Sequence, residues 1–546
     1  MPFKITIPKR KDFCWIAFLS FIVLFPNIYL ALYGSDFAGA FFLKPVIYFC
    51  FSCLLFLVPS LFLKARTFFI VMGIFVLLAP LEIAHIYFNR MPVTTAFIYS
   101  IMETNWGESS ELLASLKVPI AGLFLFWIFY FYVVLKKIKN TYLILSKKIR
   151  LYFAGVFLFV LLAGYATDVF LLKFYKIYPY DLIFRTYQVY RIEKSIRAGN
   201  EKLTDFRFNA LKEDQLQEKE VYVFVIGETG RYSSYSINGY ERETSPLLAQ
   251  TSNLVSYSDF FSEANLTSSS LPFILTRLEA KNYNRDFMEK SFVDAYKEAG
   301  FKTYWIANQS AENSFIRRIS KDTDGAYFSN TGSDAADNFD ENLWISLDKI
   351  LSNNDKKVLI VIHTLGSHFR YNFRYPASFE VFKPSLQGSF DYALISVKNK
   401  EQFINTYDNS ILYTDYFLAN TIRKIDNLNA ISSLVYVADH GENLFDTNEH
   451  IILHGGLNYT EYDFHVPFFV WTSDKYNLQY PAKAENISRN KDLKLNANRI
   501  FYSMLDMANI TFPGQVLGKS IASDFLQEDS VRYIINTNME VKVLNY

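Results

Sequence analysis

Three apolar runs of this chain each end in side chains that can bind a metal ion. The runs are 221–227, 358–362 and 435–438, and the side chains that follow them are Glu228, His363, and Asp439 with His440. Another histidine, His454, comes a short way after the third run. Carboxylate oxygens and imidazole nitrogens suit a divalent cation, zinc first. Each such side chain alone is more often a polar group satisfied by a hydrogen bond. At the ends of successive strands they together predict a metal site, with Glu228, Asp439, His440 and His454 as candidates.

A metal site alone does not define a reaction, so a nucleophile is needed as well. The segment 265–272 contains four hydroxyl side chains, Thr267, Ser268, Ser269 and Ser270, and ends in Pro272. Proline is common at the start of a helix, where free N–H groups attract anions. Hydroxyl side chains at a helix start are usually only caps. The residues by themselves favour a cap, and a nucleophile is favoured only by the motifs described below.

The chain has seven histidines, and six of them lie between positions 363 and 465. We interpret His363, His450 and His465 as structural, with His363 and His465 bonded to backbone groups. His450 competes with His454 for a functional role. His85 lies inside an apolar stretch, where ionisable groups are usually functional, but one histidine there decides little.

The elements that must position these residues alternate between strands and helices. Short β-rich runs predict strands at 220–227, 302–307, 357–363, 433–438 and 465–471, and helical periodicity predicts helices at 286–299, 338–352 and 402–427. Such alternation predicts an α/β domain with a mainly parallel central sheet covered on both faces. Ligands bind at the carboxyl ends of the strands in sheets of this kind, which is where the candidate ligands lie.

The first third of the chain reads as a membrane domain. Five apolar stretches are long enough to cross a bilayer, at approximately 13–33, 42–63, 68–89, 117–135 and 151–172. Lysine and arginine residues precede the first stretch and fill the second and fourth loops, which places those segments in the cytoplasm. The segment 90–116 and everything after 173 then lie outside. The first stretch lacks a cleavage site and is expected to remain as an anchor.

Composition narrows the remaining possibilities. Hydrophobic residues make up 51% of the 546-residue chain, and the net charge of +1 argues against nucleic acid as a partner. The three cysteines, Cys14, Cys50 and Cys53, lie in or beside the apolar stretches, so the outer part cannot form disulfides. We predict a transmembrane domain at 1–172, an amphipathic interfacial linker at 173–219 and a catalytic domain at 220–546.

Several short motifs carry a family resemblance. They are GETGR at 227–231, NGYERETSP at 238–246, YDN at 407–409 with TD at 414–415, ADHGE at 438–442, LHG at 453–455 and HVPFFVW at 465–471. Together they resemble the membrane-bound phosphoethanolamine transferases of the alkaline phosphatase–sulfatase superfamily. That family includes lipid A-modifying enzymes and mobile polymyxin-resistance proteins. The resemblance covers nearly the whole chain, because five spans before one exported domain fit it too.

The resemblance implies a role for each matching residue. Thr267, five residues before Pro272, is similar to the family's nucleophilic threonine. Glu228, Asp439 and His440 resemble the family's ligands of the catalytic zinc ion. The resemblance implies that Thr267 binds this ion as well. His368 and His454 resemble the pair that contacts the transferred phosphate or a second metal ion. One Zn²⁺ is therefore implied, and a second one is possible.

The resemblance also implies the substrates and the location. The family transfers phosphoethanolamine from phosphatidylethanolamine to lipid A, core oligosaccharide or another envelope glycan, through a zinc-activated phospho-threonine. Thr104 and Glu108 match lipid-contacting positions, while Ser100 stands where an asparagine is common. The chain is expected to be a monomer in the bacterial inner membrane, with its catalytic domain in the periplasm.

Two departures and three alternatives remain. Many relatives carry disulfides in the catalytic domain and a lysine shortly after the strand at 302–307, and this chain has neither. A membrane-anchored glycerophosphate transferase would share the spans, the threonine and the metal. A sulfatase is disfavoured, because 265–272 contains no Cys-x-Pro-x-Arg or Ser-x-Pro-x-Arg sequence. A non-catalytic membrane scaffold would be expected to have lost a ligand.

Overall fold

The structure is a computed structural model that describes most of the chain. It covers residues 10–34, 37, 43–103, 116–142, 147–166, 176–284, 289–309, 314–329, 338–386, 396–447, 451–456 and 458–545. The chain divides into two compact units, the first formed by Met1–Tyr99 with Leu116–Ile192 and the second by Ser100–Ser115 with Glu193–Tyr546. The three-part division made from the sequence remains a prediction.

The first unit is helical. Its elements are α1 (Arg10–Tyr33), α2 (Leu43–Phe62), α3 (Ala65–Asn89), α4 (Thr95–Glu103), α5 (Lys117–Lys137), α6 (Lys147–Ala166) and α7 (Tyr180–Lys202). Four helices in the described residues are long and apolar enough to cross a membrane, at Asp12–Tyr33, Leu43–Phe62, Ala65–Tyr87 and Lys117–Lys137. The fifth predicted span, 151–172, overlaps α6 and ends outside the described residues, so the count of five stays a prediction.

Polar side chains tie the helices of this unit together. The Asn27 side chain of α1 donates from Nδ2 to the carbonyl oxygen of Tyr178 at 2.8 Å. Its Oδ1 accepts from the Tyr178 N–H at 3.0 Å and from the Tyr48 hydroxyl of α2 at 3.0 Å. Because buried polar groups among apolar side chains are costly unless paired, Asn27 fixes the segment before α7 against α1 and α2.

The second unit is built around a seven-stranded sheet. Its strands are β1 (Glu220–Gly227), β2 (Leu254–Ser256), β3 (Lys302–Ala307), β4 (Gly325–Phe328), β5 (Lys357–His363), β6 (Ile431–Ala438) and β7 (Phe468–Thr472), in the order β2-β7-β6-β1-β5-β3-β4. Neighbours from β6 to β4 pair in parallel, and β7 pairs antiparallel with both β6 and β2. The sheet is therefore mixed, with its antiparallel pairs at one side.

All five predicted strands are present: those at 220–227, 302–307 and 357–363 have the predicted bounds, and the other two have shifted ends. The strand predicted at 465–471 begins at Phe468, directly after Pro467, which has no N–H to donate to a neighbouring strand. The short strands β2 and β4 were not predicted. Of the predicted helices, 402–427 is observed as Lys400–Asp426 and 338–352 as a 3₁₀ turn followed by Leu343–Leu351. The one at 286–299 is observed as Phe292–Glu298, and residues 285–288 lie outside the described residues.

Helices cover both faces of this sheet. They are α8 (Pro246–Ala249), α9 (Thr267–Leu275), α10 (Phe292–Glu298), α11 (Ser314–Asp322), α12 (Leu343–Leu351), α13 (Lys400–Asp426), α14 (Asp474–Gln479), α15 (Pro481–Arg489) and α16 (Ile500–Met507). Alternate residues of β1 enter two different cores: Phe224 packs with Leu271 of α9, and Val223 packs with Phe417 of α13. A central strand buried on both faces reads as a continuous apolar run, as this one does.

Short strand pairs complete the second unit. They join Leu211–Lys212 to Ile510–Thr511, Phe260–Phe261 to Leu495–Asn496, Asn443–Leu444 to Ile452–Leu453, and Arg532–Ile535 to Val541–Leu544. The third pair matters for the site, because it brings the segment after β6 back toward His454.

Candidate active site

The ends of two neighbouring strands bring the candidate ligands together. In the parallel pair of β1 and β6, Gly227 lies opposite Ala438, so the residues that follow leave the sheet side by side. One ligand atom from each of Glu228, Asp439 and His440 lies within 4.8 Å of the other two. All three side chains are buried. The structure thus assembles three residues that are far apart in sequence into one cluster.

Backbone groups orient the Asp439 carboxylate. The N–H groups of Thr229 and His440 donate to its Oδ1 at 3.1 and 2.8 Å. Its Oδ2 is buried and has no hydrogen-bond partner among the described residues. Buried carboxylate oxygens are normally paired, so this orphaned oxygen fits a cation held between Asp439 and its neighbours.

The imidazole of His440 presents one nitrogen to the cluster. Its Nδ1 lies 2.9 Å from the carbonyl oxygen of Gly441, a contact that places the Nδ1 proton there. Its Nε2 lies 3.4 Å from Glu228 Oε1 and 3.4 Å from Asp439 Oδ2. The neighbouring Gly441 allows this close fold, because a Cβ there would lie 2.0 Å from the Tyr462 carbonyl oxygen.

Thr267 is the hydroxyl residue that joins this cluster. It is the first residue of α9, and its Oγ1 donates to Glu228 Oε1 and Oε2 at 3.2 Å each. The same oxygen lies 3.4 Å from His440 Nε2. Ser270, by contrast, donates to the carbonyl oxygen of Ala264 at 3.0 Å, which is a structural role.

The prediction that Pro272 starts the helix is wrong. The helix begins at Thr267, and Pro272 lies inside it. Leu266 has extended backbone at the N-cap position, so the chain turns into the helix one residue before the hydroxyl. The nucleophile candidate therefore stands at the helix start itself, where free N–H groups favour an anion.

The charges of the cluster are strongly coupled. Burial acts to raise the pKa of Glu228, but the hydrogen bond and positive charge of His440 hold it well below its usual range. Burial and the Glu228 charge raise the pKa of Asp439 to about 7. Burial acts to lower the pKa of His440, yet the charges of Asp439 and Glu228 raise it to about 10. The two carboxylates thus stabilise the protonated imidazole of His440. A metal ion bound at the cluster would replace this positive charge.

His454 and His368 lie near this cluster. The His454 ring centroid is 4.0 Å from that of His440, and its Nδ1 lies 3.3 Å from Glu442 Oε1. The Nδ1 of His368 lies 3.1 Å from the Phe369 carbonyl oxygen. The positive charges of both histidines contribute to lowering the pKa of Glu228, as expected for groups that line the same site.

Three side chains of the site were not predicted from the sequence. Glu442 accepts from the Tyr371 hydroxyl at 2.7 Å and orients His454. Thr229 donates from Oγ1 to Glu228 Oε1 at 2.8 Å, and Gln309 donates from Nε2 to Glu228 Oε2 at 2.7 Å. Glu442 and Thr229 lie within the quoted motifs and could have been found there. Gln309 gives no sequence signal, because only the fold brings the end of β3 to Glu228.

The other predicted residues have mixed outcomes. The expectation that His363 bonds to backbone is wrong: it is buried at the carboxyl end of β5, and neither ring nitrogen has a hydrogen-bond partner in the described part of the chain. His465 does bond to backbone, with Nε2 3.1 Å from the carbonyl oxygen of Ser258. Thr104, Glu108 and His450 lie outside the described residues, and of Ser100 only the backbone is described.

Comparison with known proteins adds an independent finding. A profile of the sulfatase family matches residues 220–510, more than half of the chain. Phosphoethanolamine transferase EptC of Escherichia coli K12 is 29% identical over 345 residues, which cover 61% of this chain and 58% of that protein. The Kdo(2)-lipid A phosphoethanolamine 7''-transferase of the same strain is 36% identical over 286 residues, covering 50% and 48%. The chain thus matches about half of the length of these relatives.

Solved structures give the same picture. The C-terminal periplasmic domain of E. coli EptC, crystallised in complex with Zn, has a TM-score of 0.56 at 28% identity, covering 62% of this chain and 95% of that domain. The integral membrane protein lipooligosaccharide phosphoethanolamine transferase A (EptA) of Neisseria meningitidis has a TM-score of 0.74 at 21% identity, covering 93% and 98%. Apolar N-terminal helices followed by a sulfatase-like α/β domain are therefore the shared architecture.

Proposed function

This chain belongs to the sulfatase family, and from that premise we propose that it is a metal-dependent phosphoethanolamine transferase. The donor is phosphatidylethanolamine, and the acceptor is lipid A, core oligosaccharide or another envelope glycan. The names of the relatives support this assignment, because they are phosphoethanolamine transferases and one of them acts on Kdo(2)-lipid A. The proposal goes beyond the family, whose fold serves several kinds of reaction.

One observation carries the proposal. The Thr267 hydroxyl stands at the start of α9, 3.2 Å from both Glu228 oxygens and 3.4 Å from His440 Nε2. A threonine hydroxyl that only caps a helix would donate to or accept from the backbone of its own first turn. This one instead points at a buried cluster of acidic and imidazole groups, as a nucleophile beside a cation would.

The residues present fit a zinc ion. Two carboxylates and one imidazole with ligand atoms within 4.8 Å, together with the orphaned Oδ2 of Asp439, form a donor set of the kind zinc accepts. Glu228, Asp439, His440 and Thr267 would hold it. A zinc ion bound there would lower the pKa of the Thr267 hydroxyl and neutralise charge on the phosphate. One ion accounts for these ligands, and His368 with His454 would be available to a second.

The transfer then proceeds in two displacements at phosphorus. In the first, Thr267 Oγ1 forms a bond to the phosphorus of the lipid headgroup, and the bond to the diacylglycerol oxygen breaks. The phosphoethanolamine is now on Thr267, and diacylglycerol takes up a proton as it leaves. In the second, a hydroxyl or phosphate oxygen of the acceptor attacks the same phosphorus and Thr267 is released. Two easier steps replace one difficult step.

His454 and His368 would stabilise the charge that grows on the phosphate oxygens. Glu442 orients His454. Its Oε1 lies 3.3 Å from His454 Nδ1, and its Oε2 accepts from the Tyr371 hydroxyl at 2.7 Å. With Nδ1 directed at Glu442, Nε2 is the ring nitrogen that would face the substrate.

The membrane unit supplies the location. We propose that five spans hold the chain in the bacterial inner membrane as a monomer, with the catalytic domain in the periplasm and Thr104 and Glu108 in contact with the lipid. A site held beside lipid headgroups replaces a diffusive search by proximity. In this setting, modification of lipid A would reduce its negative charge and support resistance to polymyxin.

Labelled lipids test the proposal directly. Purified full-length protein is incubated with phosphatidylethanolamine carrying a labelled headgroup, and the adduct is located by peptide mass spectrometry. We expect label on Thr267, and on an added lipid A or glycan acceptor afterwards. Ser269→Ala serves as a matched hydroxyl variant of the same helix and should still be labelled. Label from phosphatidylglycerol instead would identify a glycerophosphate transferase, and no adduct from either lipid would contradict phospho-threonine chemistry.

A further inference from the structure

Two side chains hold the Glu228 carboxylate from opposite sides without taking part in the displacements. Thr229 Oγ1 donates to Oε1 at 2.8 Å, and Gln309 Nε2 donates to Oε2 at 2.7 Å. Both contacts are shorter than the 3.2 Å between Thr267 Oγ1 and either carboxylate oxygen. The position of Glu228 is therefore set mainly by Thr229 and Gln309. Thr229 is adjacent in sequence, whereas Gln309 lies just after a different strand, β3.

The amide of Gln309 can face its neighbours in only one way. Its Nε2 also donates to the carbonyl oxygen of Thr364 at 3.2 Å. Both protons of the NH₂ group are then directed at acceptors. Turning the amide over would place its own oxygen against the Glu228 carboxylate and the Thr364 carbonyl, and two repulsive contacts would replace two hydrogen bonds. The donor that faces Glu228 is thus determined by the surroundings.

A rigid frame supports Gln309. The preceding residue, Asn308, donates from Nδ2 to Asp340 Oδ1 at 3.0 Å. The Asp340 carboxylate accepts from the N–H groups of Leu365 at 2.8 Å and Gly366 at 2.9 Å, so it joins the ends of β3 and β5. Asn308 and Asp340 are buried. Side chains that orient a ligand are effective only when their own positions are fixed, and this condition is met here.

We propose that Gln309 is a positioning residue that sets the orientation of Glu228 as a metal ligand. The inference rests on the proposed function, in which Glu228 binds zinc. Hydrogen bonds to a ligating carboxylate fix its direction. A neutral amide does this without adding a positive charge that would repel the cation. Removing such a partner typically weakens metal affinity by roughly 10- to 100-fold.

Zinc titration of matched variants tests this inference. The full-length protein in detergent is stripped of metal and titrated with Zn²⁺ against a chromophoric chelator, as wild type and as Gln309→Met, Gln309→Ala and Gln250→Met. Methionine keeps the length of glutamine but cannot donate, and Gln250 is exposed. We expect both Gln309 variants to bind zinc about 10- to 100-fold more weakly, with Gln250→Met unchanged. Their transferase activity should recover at saturating zinc, with the KM for lipid unaltered.

Several results would overturn the inference, and they differ from those that would overturn the proposed function. Wild-type affinity in both Gln309 variants, or an activity loss that persists at saturating zinc, would reject a positioning role. A lower melting temperature of the metal-free protein in both variants would indicate a structural role instead. If wild type itself binds no zinc, the proposed function fails, whatever the variants do.

Discussion

Two fully buried polar side chains, one in each unit, show opposite use of hydrogen bonds. In the membrane unit, Asn27 is 1% exposed, and it pairs with both backbone groups of Tyr178 and with the Tyr48 hydroxyl. In the second unit, Asp439 is 0% exposed, and its Oδ2 accepts no hydrogen bond from the described residues, with His440 Nε2 3.4 Å away. Both sites exclude water, yet only the first is complete without a ligand.

The difference teaches how buried polarity separates architecture from function. An unpaired buried carboxylate oxygen costs folding free energy, so it is expected where something else binds to it. The hydrogen bonds of a fully paired buried amide offset the free energy of its desolvation, and they stabilise the fold. Burial alone would rank the two residues as equal. Their pairing makes Asn27 a structural tie and Asp439 a candidate ligand.

The largest expected effect concerns the nucleophile. Replacing Thr267 by Ala removes the oxygen that would carry phosphoethanolamine, so transferase activity should fall by at least about 10³-fold. Thr267→Ser keeps a hydroxyl and should retain measurable activity. Turnover of phosphatidylethanolamine by both variants checks this. If Thr267→Ala still transfers at the wild-type rate, the chain works without a threonine intermediate.

The second largest effect is expected for Asp439→Asn, which tests whether Asp439 binds metal. This change removes a buried negative charge that zinc would neutralise, so zinc affinity should fall by about 100-fold or more. The melting temperature of the metal-free protein should change little, because the lost contact with the His440 imidazole, 3.4 Å from Oδ2 to Nε2, is offset by removal of a desolvated charge. Zinc titration and thermal unfolding without metal measure the two effects. Asp524→Asn, at an exposed position, is the control. A large loss of metal-free stability would identify Asp439 as structural.

The pH dependence of zinc binding is the third test. The charges of Asp439 and Glu228 raise the pKa of His440 to about 10, against burial, so zinc must displace its proton at neutral pH. Affinity should therefore increase by about tenfold per pH unit for each proton released. Isothermal titration in buffers of different ionisation enthalpy counts these protons. Affinity that does not vary between about pH 6 and 8 would contradict the coupled cluster.

The same pKa shift has a consequence for stability without metal. The pKa of His440 is higher in the folded chain than the ordinary value of 6.5. Its contribution to the free energy of unfolding is therefore fully present below about pH 6.5 and is lost as the pH rises toward about 10. Chemical unfolding of metal-stripped protein across this range should show the decline, and His440→Gln should remove it.

The smallest effect is expected for Asn27→Leu, which removes the fully hydrogen-bonded amide of the first unit. The variant removes the partner of both backbone groups of Tyr178 and one of the acceptors of the Tyr48 hydroxyl, so the first unit should lose about 1–3 kcal/mol. Zinc affinity should not change. Thermal unfolding in detergent and zinc titration together check the pair of outcomes. Weaker zinc binding in this variant would show that Asn27 is not only a structural tie.

Much of the architecture follows from local pattern. Runs such as 221–226 and 358–362 are aliphatic or aromatic throughout, and a strand buried on both faces has that pattern. Of the candidate site residues, Glu228, Asp439 and His440 were marked by strand ends and His454 by its LHG motif, whereas Thr267 was marked by the hydroxyl segment 265–272 and the resemblance. The short strands β2 and β4 were not, because three or four residues carry too little periodicity and are stabilised by their partners in the sheet.

The sequence by itself determined the apolar helices, the strand series and the set of side chains capable of metal chemistry, because these depend on residue type and spacing along the chain. Only the tertiary structure decided which groups meet. It placed Thr267 rather than Pro272 at the start of α9, left the His363 ring without a hydrogen bond from the residues that the structure describes, and set Gln309 against Glu228. Such contacts join residues tens of positions apart, so they depend on sheet order and register, which no local pattern records.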